Sequence, residues 1–598
     1  MLLRARVGLR GAADLARRGL EALVQIADRL AAAARDPGGR VELLPARVVQ
    51  RGVVLVGAAL EHAVGVVVAE SAPAVRATGE PHEHAERRRG EPTREVLSAH
   101  AASIPAALRL LYTAPVHELL DASAVTLSRW IRQRKLSPRE LLEAMIARIA
   151  DVNPAINAVI AERHEAARAE ARAAEHRVMH EPPEALPPLL GLPYTAKEYI
   201  SARGMPLSAG IWSRRHVRAD TDAETVARLA RAGAILVGIT NVPEGGLWME
   251  TYNDVYGRTR NPWDLSRTAG GSSGGEGAIV ASGGVVFGLG ADVGGSIRIP
   301  AAFCGCVGHK PTGRVVPNTG FWPQPSGELS AYLVCGPLTR RVEDIFPILS
   351  VLAGPDGVDP VVRDWSLERP EDIDLRGVTV YPMTGNGRIW VREPMRLAVE
   401  RAAEALRERG ATIGSLDGRR LRNAFPIWSA MMSLSGSPPY AEILGGGRPV
   451  AVLRELARLA LGRSRHTLPA ILVVGLENLS NHFTGRKHEL VAVGKALQAE
   501  LEAALGPRGV LLFPPYSRPA PRHTMPLLTP FDFVCTGLFN VLEFPSTTVP
   551  VLWHRGLPVG VQVIGRRGAD GLTIAAARAV EDAFGGWRRA NPPLLAAA

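Results

Sequence analysis

The chain has 598 residues, with 70 Lys and Arg against 59 Asp and Glu, a formal net charge of +11 and 46% hydrophobic residues. This composition excludes a disordered chain, and basic residues spread over every segment without interleaved aromatic residues exclude a nucleic-acid-binding stripe. Four cysteines are too few for a disulfide framework in so long a chain, so we expect a reduced, cytoplasmic protein. Only five of the basic residues are lysines, which indicates a GC-rich, bacterial coding sequence.

The N-terminal part of the chain differs in character from the rest. Ala, Arg, Val and Gly dominate residues 1–112, which we interpret as a poorly ordered or helical extension with a linker. Residues 113–598 are predicted to form a single domain. Residues 52–69 are the nearest approach to a membrane span, but Glu61 and His62 interrupt their centre, where charge is costly. No signal peptide is predicted.

From residue 116 onward the local signals predict alternating helices and strands. Ser137 precedes Pro138 and stands three residues before Glu140, a capping box that opens an amphipathic helix. A helix rich in Ala, Glu and Arg is predicted over residues 161–177, and residues 221–224 repeat the capping pattern before another helix. The further predicted elements are strands over 234–239, 378–381 and 559–564, and helices over 395–409 and 571–584. This alternation indicates an α/β fold with a large sheet.

Two glycine-rich stretches carry the strongest chemical signal. Residues 270–277 read GGSSGGEG and residues 288–300 read GLGADVGGSIRIP. A phosphate-binding loop needs a lysine after its last glycine and a dinucleotide-binding loop needs GxGxxG, and neither spacing is present. A GxSxG elbow is formally present on Ser272 and on Ser273, so a Ser-His-Asp hydrolase is an alternative. That alternative lacks a His-Gly-Gly-Gly oxyanion motif, and the two glycines that follow would begin a helix poorly.

These stretches resemble the signature of the amidase signature family of serine hydrolases. The resemblance covers residues 116–587 and includes the stretch GLPYTAKE at residues 191–198. It implies an α/β fold with a large mixed twisted sheet covered by helices on both faces. It also implies a catalytic triad of Ser296, Ser272 and Lys197. In this triad Ser296 is the nucleophile, Lys197 is the base, and the serine between them follows a cis peptide and bridges the base to the nucleophile.

The chemistry of lysine agrees with this implied triad. Serine is a poor nucleophile until a base removes its proton. A buried lysine can lose its charge through desolvation, whereas arginine cannot. Because the chain uses 65 arginines and five lysines, Lys197 upstream of the serine cluster indicates a position that needs an amine able to become neutral.

The segment around Ser296 supplies the remaining predicted parts of the site. The oxyanion hole is assigned to the backbone N–H groups of Val293, Gly294, Gly295 and Ser296, where glycines leave room for a substrate carbonyl. The resemblance gives Ser273 a supporting hydrogen bond near the nucleophile and puts Lys310 in the scaffold. We interpret Asp292 and Arg298 as a structural pair that holds the loop. The sequence contains no metal-binding cluster and no nucleotide motif, so we expect no metal and no cofactor.

Further stretches resemble the fatty-acid amide hydrolase branch of the family, especially its type-2 form. They are residues 238–241, 256–258, 261–264, 308–312, 316–318, 428–432, 530–533, 556–562 and 584–587. That branch acts on long-chain acyl amides, so the resemblance implies an amidase that forms an acyl-enzyme and releases an acid and ammonia or an amine. The membrane-spanning helix of the branch has no convincing counterpart in this sequence.

Several alternatives stay open. A tRNA-dependent amidotransferase of the A type would use the same site to pass ammonia to a partner, and a non-catalytic binding protein is disfavoured by the intact triad. Residues 451–476, apolar with interspersed arginines, form either an amphipathic cap that contacts the membrane periphery or an ordinary helix pair over the substrate pocket. The expected partner is a small-molecule amide with a short or long acyl group, and a homodimer is also left open.

Overall fold

The computed structural model describes residues 116–592 apart from residue 437 and residues 482–483. The predicted extension over residues 1–112 and its boundary with the catalytic domain therefore lie outside the described residues. The α-helices are α1 (Val116–Asp121), α2 (Ala124–Arg132), α3 (Pro138–Ile156), α4 (His164–His180), α5 (Glu224–Arg231), α6 (Gly274–Ala281), α7 (Arg298–Cys304), α8 (Leu329–Tyr332), α9 (Ile345–Leu352), α10 (Glu393–Glu408), α11 (Ala424–Ser433), α12 (Tyr440–Leu444), α13 (Val452–Ala460), α14 (Leu468–Asn481), α15 (Thr484–Leu505), α16 (Val534–Val541) and α17 (Asp570–Phe584). The strands are β1 (Val159–Glu162), β2 (Pro193–Lys197), β3 (Ile235–Thr240), β4 (Tyr252–Asn253), β5 (Gly257–Arg258), β6 (Arg260–Asn261), β7 (Asp264–Thr268), β8 (Phe287–Asp292), β9 (Val307–Lys310), β10 (Val334–Thr339), β11 (Thr379–Pro382), β12 (Thr412–Ile413), β13 (Gly509–Phe513), β14 (Ser546–His554) and β15 (Leu557–Gly565).

Eleven strands form one sheet in the order β1-β3-β2-β8-β10-β9-β14-β15-β13-β11-β12. Strand β2 is parallel to β3 and β8, and β11 is parallel to β12 and β13. The other neighbouring pairs are antiparallel. The sheet is therefore mixed, as predicted.

Both faces of this sheet are buried. In β13, Val510 and Leu512 belong to an apolar cluster with residues of α9, α10 and α17. The alternating residues Leu511 and Phe513 belong to a second cluster with residues of α11, α15 and α16. Because successive side chains of a strand point to opposite faces, helices cover the sheet on both sides. The predicted α/β fold class is confirmed.

The predicted capping box at the start of α3 is confirmed. The Ser137 hydroxyl accepts a hydrogen bond from the Arg139 N–H at 3.1 Å, and the Ser137 N–H donates to Glu140 Oε2 at 3.2 Å. The strands predicted at 234–239, 378–381 and 559–564 are β3, β11 and β15, and the two later helices are α10 and α17.

The prediction of a helix over residues 161–177 is wrong at its start. Ala161 and Glu162 belong to β1, which pairs with β3, and α4 begins only at His164. The pairing of β1 with a buried neighbour overrides the helix propensity of these two residues.

The predicted cap at residues 221–224 is also wrong. Helix α5 begins at Glu224 after Ala223, which has no side-chain cap. Asp222 instead accepts a hydrogen bond from the Arg203 N–H at 2.7 Å, so its carboxylate joins two loops.

Candidate active site

Lys197 is the last residue of β2 and is fully buried. Its Nζ donates a hydrogen bond to Ser272 Oγ at 2.7 Å and another to the carbonyl oxygen of Ala291 at 3.2 Å. The ring of Tyr199 lies beneath the amine, with 4.5 Å between Nζ and the ring centroid. The predicted base and the predicted bridging serine are therefore in direct contact.

Burial lowers the pKa of the Lys197 amine to about 7, against the opposing effects of Asp292 and Glu276. Taking an ammonium group out of water is costly unless a carboxylate pairs with it directly. The hydrogen-bond partners of Lys197 are instead a hydroxyl and a carbonyl. A neutral amine is thus accessible near neutral pH, as a general base requires.

Ser272 lies in the turn before α6, and the Gly271–Ser272 peptide bond is cis, as the resemblance implied. Its side chain is almost fully buried. A Cβ on Gly271 would lie 2.3 Å from the carbonyl oxygen of Trp248, so only glycine fits before this serine. In the described part of the chain, no histidine bonds to Ser272 or Ser273, so the Ser-His-Asp alternative lacks its base.

Ser273 connects the two glycine-rich stretches. Its N–H donates to the carbonyl oxygen of Ser296 at 3.0 Å. Its hydroxyl donates to the carbonyl oxygen of Ala291 at 3.3 Å, the same oxygen that accepts from Lys197. The structure therefore brings together the segments that carry all three predicted triad residues.

Helix α6 begins at Gly274, contrary to the expectation that a glycine pair would start it poorly. A Cβ on Gly274 would lie 2.3 Å from Thr251 Oγ1, and one on Gly275 would lie 2.7 Å from the backbone nitrogen of Asn241. Close packing of this first turn demands glycine, and that demand outweighs the poor helix propensity.

The backbone carbonyls of residues 292–296 are all hydrogen-bonded. Their donors, in chain order, are Asn540 Nδ2 at 2.8 Å, Trp428 Nε1 at 3.1 Å, the Thr536 hydroxyl at 2.8 Å, the Ile299 N–H at 2.7 Å and the Ser273 N–H at 3.0 Å. The Thr536 hydroxyl is shared with the carbonyl oxygen of Phe533. The orientation of the loop before Ser296 is thus set by groups that surround it.

Most N–H groups of residues 293–296 donate no hydrogen bond within the described residues. Within residues 116–592, leaving out 437 and 482–483, the N–H groups of Val293, Gly294 and Ser296 have no protein acceptor. The N–H of Gly295 donates to Asp292 Oδ1 at 2.6 Å. Three of the four predicted oxyanion donors are therefore available to a ligand, and the fourth is engaged by Asp292.

Asp292 and Arg298 form a fully buried, two-pronged ion pair. Arg298 Nη2 lies 2.9 Å from Asp292 Oδ1, and Nε lies 3.0 Å from Oδ2. Burial alone would raise the pKa of Asp292, but the Arg298 guanidinium holds it well below its usual range. Arg298 also donates to Thr536, Asn540 and Gln562, so one side chain ties the loop before Ser296 to α16 and β15.

The sequence interpretation gave no role to Glu276, which lies fully buried in α6. Its two carboxyl oxygens accept hydrogen bonds from Thr195 Oγ1 at 2.5 Å and Thr240 Oγ1 at 2.7 Å. Thr240 is the register partner of Lys197, so Glu276 links β2 to the end of β3 beside Lys197. Burial raises the pKa of Glu276 to about 8. The sequence signal that could have pointed to Glu276 is that it is the one acidic residue in the stretch GGSSGGEG.

Lys310 is a second buried lysine, and it qualifies the argument from lysine rarity. Its Nζ donates to the carbonyl oxygen of Pro311 at 2.9 Å, and burial lowers its pKa to about 7. Lys487 is also buried, whereas Lys135 and Lys495 are exposed. Three of the five lysines are therefore buried, so rarity alone does not single out Lys197, and its contact with Ser272 does.

Four aromatic side chains form what we call the aromatic wall: Phe425, Trp428, Phe531 and Phe533. Ring centroids are 4.7 Å apart for Phe425 and Phe531, and 4.8 Å apart for Trp428 and Phe533. A Cβ on Gly294 would lie 3.5 Å from Phe533 and 3.7 Å from Trp428. Phe531 is 42% exposed, so the wall runs from the surface to the predicted oxyanion loop.

Serines on two glycine-rich turns, together with a buried lysine at the end of a strand of a mixed sheet, define an amidase-like hydrolase class. A family model described as Amidase matches residues 140–574. Fatty-acid amide hydrolase 2-A of Danio rerio is 39% identical over 488 residues, which are 79% of this chain and 90% of the relative. An acylamidase of Rhodococcus erythropolis is 32% identical, over 76% of this chain and 94% of that protein. A glutamyl-tRNA(Gln) amidotransferase component of Roseiflexus castenholzii is 31% identical, over 76% of this chain and 93% of that protein. The crystal structure of a bacterial aryl acylamidase of the amidase signature family matches with a TM-score of 0.65 and 27% identity, over 77% of this chain and 96% of that chain.

The chain belongs to the amidase family, and it is an amidase that hydrolyses amide C–N bonds. The resemblance to the fatty-acid amide hydrolase branch is confirmed by relatives at 38–40% identity.

Proposed function

We propose that this amidase hydrolyses amides of long-chain fatty acids with Ser296 as nucleophile, Ser272 as proton relay and Lys197 as base. The observation that supports this triad most is the buried Lys197 amine, 2.7 Å from Ser272 Oγ and with a pKa lowered to about 7. An amine in this state can accept a proton through Ser272 without first losing one to solvent.

The proposed cycle has two halves. Ser296 Oγ attacks the amide carbonyl carbon while its proton passes to Ser272 and the proton of Ser272 passes to Lys197. The oxygen that becomes negative is stabilised by the free N–H groups of Val293, Gly294 and Ser296. The C–N bond then breaks, the relay returns the proton to the leaving nitrogen, and the acyl group stays on Ser296.

In the second half, water replaces the amine. It attacks the ester carbonyl of the acyl-enzyme as the relay takes its proton, and Ser296 regains a proton when the acid leaves. The purified Ser296→Ala variant should have no measurable turnover and should no longer be labelled by a fluorophosphonate. Full activity of that variant would refute the proposal.

The aromatic wall supports an apolar acyl group. It begins at Phe531 on the surface and ends at Gly294, along the path that an acyl chain would follow toward the nucleophile. Burial of each methylene of such a chain is worth about 0.8 kcal/mol. We therefore expect KM to fall as acyl length increases from acetyl to decanoyl amides of the same amine, with kcat changing little. A KM independent of acyl length would contradict a fatty-acyl preference.

Helices α13 and α14 support a peripheral membrane contact through residues 451–476. Leu453 on α13 is 80% exposed and Leu461, directly after α13, is 69% exposed, and Arg454 and Arg458 on α13 are also exposed. Leucines that face outward beside arginines suit the interface between acyl chains and anionic head groups. In the described residues, no helix is long and apolar enough to cross a bilayer.

Co-sedimentation with phosphatidylglycerol vesicles tests this contact. We expect the wild type to sediment with vesicles, Leu453→Asp/Leu461→Asp to lose binding at any ionic strength, and Arg454→Glu/Arg458→Glu to lose binding mainly at low salt. Absence of binding by the wild type would refute the contact and leave an ordinary helix pair.

The amidotransferase function remains the competing candidate because several relatives, 27–32% identical, carry that name. Incubation of the purified protein alone with oleamide, benzamide and glutamine separates the two. Hydrolysis of oleamide without any partner supports the amidase proposal. Glutamine hydrolysis alone, with no turnover of apolar amides, would favour the amidotransferase function.

A further inference from the structure

Trp428 joins the aromatic wall to the loop that carries Ser296. It lies on α11, and its indole Nε1 donates to the carbonyl oxygen of Val293 at 3.1 Å, across 135 residues of chain. Its ring meets that of Phe533 edge to face, with centroids 4.8 Å apart. One side chain thus has a polar contact with the loop and an apolar contact with the wall.

The hydrogen bond to Val293 determines where the next N–H points. The Val293–Gly294 peptide is trans, because the cis bonds in the described residues are Gly271–Ser272 and Trp322–Pro323. In a planar trans peptide the C=O and the N–H point in opposite directions. Holding the Val293 oxygen on the indole therefore directs the Gly294 N–H away from Trp428, and this N–H has no acceptor in the described part of the protein.

The peptide planes of the loop differ in how many groups hold them. The plane between Gly294 and Gly295 is held at both ends, by Thr536 on its oxygen and by Asp292 on its N–H. The plane before Gly294 has a single hydrogen bond, the one from Trp428. The direction of the Gly294 N–H consequently depends on one side chain.

We propose that Trp428 is a positioning residue for amide hydrolysis. Its indole N–H orients the Gly294 N–H toward the substrate oxygen that becomes negative in the tetrahedral intermediate, while its ring forms part of the wall for the acyl group. The inference rests on the proposed function, which assigns the oxyanion hole to this loop. Because the negative charge on this oxygen develops only as the transition state forms, a correctly aligned donor stabilises the transition state more than the bound substrate.

The test removes the indole N–H and keeps an aromatic ring. Trp428→Phe is compared with Trp263→Phe, a matched control in which an indole N–H bonded to the carbonyl oxygen of Cys304 at 2.7 Å is lost away from the loop. Replacement of Trp428 by 3-benzothienylalanine, which substitutes sulfur for N–H at nearly constant shape, provides a second variant if the phenylalanine variant folds poorly. The substrate is acetyl p-nitroanilide, whose acyl group is too short to depend on the wall.

We expect both Trp428 variants to lower kcat by about tenfold, less than the roughly 10²–10³ lost when an oxyanion donor is removed outright. KM should change little. The affinity for a phenylboronic acid, which forms a tetrahedral adduct with the nucleophile, should fall by the same factor, and the affinity for the acid product should be retained. Trp263→Phe should alter none of these quantities.

Two results would overturn the inference. One is an unchanged kcat and boronate affinity in the Trp428 variants. The other is an equal loss in the Trp263 control, which would indicate a general effect on folding. Failure of the proposed function has a separate sign, full turnover of acetyl p-nitroanilide by Ser296→Ala.

Discussion

The acid limb of the pH–rate profile is the most direct consequence of the buried Lys197. An ordinary lysine with a pKa of 10.5 is neutral in about one molecule in three thousand at pH 7, whereas a pKa of about 7 leaves about half of the molecules neutral. Because the proposed mechanism requires the neutral amine as base, kcat/KM should rise with pH through a midpoint near 7. At pH 6 it should be about a tenth of its plateau, since each pH unit below the pKa removes a factor of ten.

The assay is hydrolysis of decanoyl p-nitroanilide between pH 5.5 and 9 in buffers of constant ionic strength. Lys197→Ala should lose most activity, and its residual rate should lack the limb near pH 7. Lys310→Met is the essential control because burial also lowers the pKa of Lys310 to about 7. This variant should keep the limb where the wild type has it. A flat wild-type profile between pH 6 and 8, or a limb that moves in Lys310→Met and persists in Lys197→Ala, would refute the assignment.

Three further predictions concern the framework of the site. Glu276→Ala leaves two buried threonine hydroxyls without partners and should lower the free energy of unfolding by about 2–4 kcal/mol in urea titrations. Glu276→Gln, which can bond both hydroxyls, should lose less than half of that, and equal stability of the two variants would contradict the link that Glu276 makes between β2 and β3. Arg298→Met leaves Asp292 buried without its counter-ion and should lower the free energy of unfolding by about 3–5 kcal/mol. A decrease below about 1 kcal/mol would show that the pair does not hold the loop. Gly295→Ala puts a Cβ 2.1 Å from a threonine oxygen at a backbone φ of +118°, so we expect a lower Tm by calorimetry and reduced turnover; wild-type values for both would refute the packing argument.

Local sequence signals predicted much of the fold. The capping box before α3 and the apolar run of β3 operate over a few residues, and a single sequence contains all the information that they need. The start of α4 was mispredicted because β1 exists only through its pairing with β3, some 80 residues later in the chain. A strand whose stability comes from a distant partner has no strong local pattern.

The residues of the candidate site also fall into those that local motifs reveal and those that only distant contacts reveal. Lys197, Ser272 and Ser296 could be proposed as the triad from the sequence because their motifs are unusual wherever they occur. The partners that orient the loop, such as Trp428 and Asn540, were not identified, since they contact residues 135 and 248 positions away. An isolated tryptophan or asparagine in an ordinary helix carries no mark of such a contact.

The sequence by itself determined the candidate serines and lysine of the site and the alternation of helices and strands. It also showed that lysine is rare in a chain whose basic residues are mostly arginine. Only the tertiary structure decided which of the buried lysines touches a serine, which N–H groups of the loop are free, and which side chains hold its carbonyls. The physical reason is that pKa values and hydrogen-bond directions depend on burial and on neighbours from distant parts of the chain. These neighbours meet only when the eleven-stranded sheet has formed.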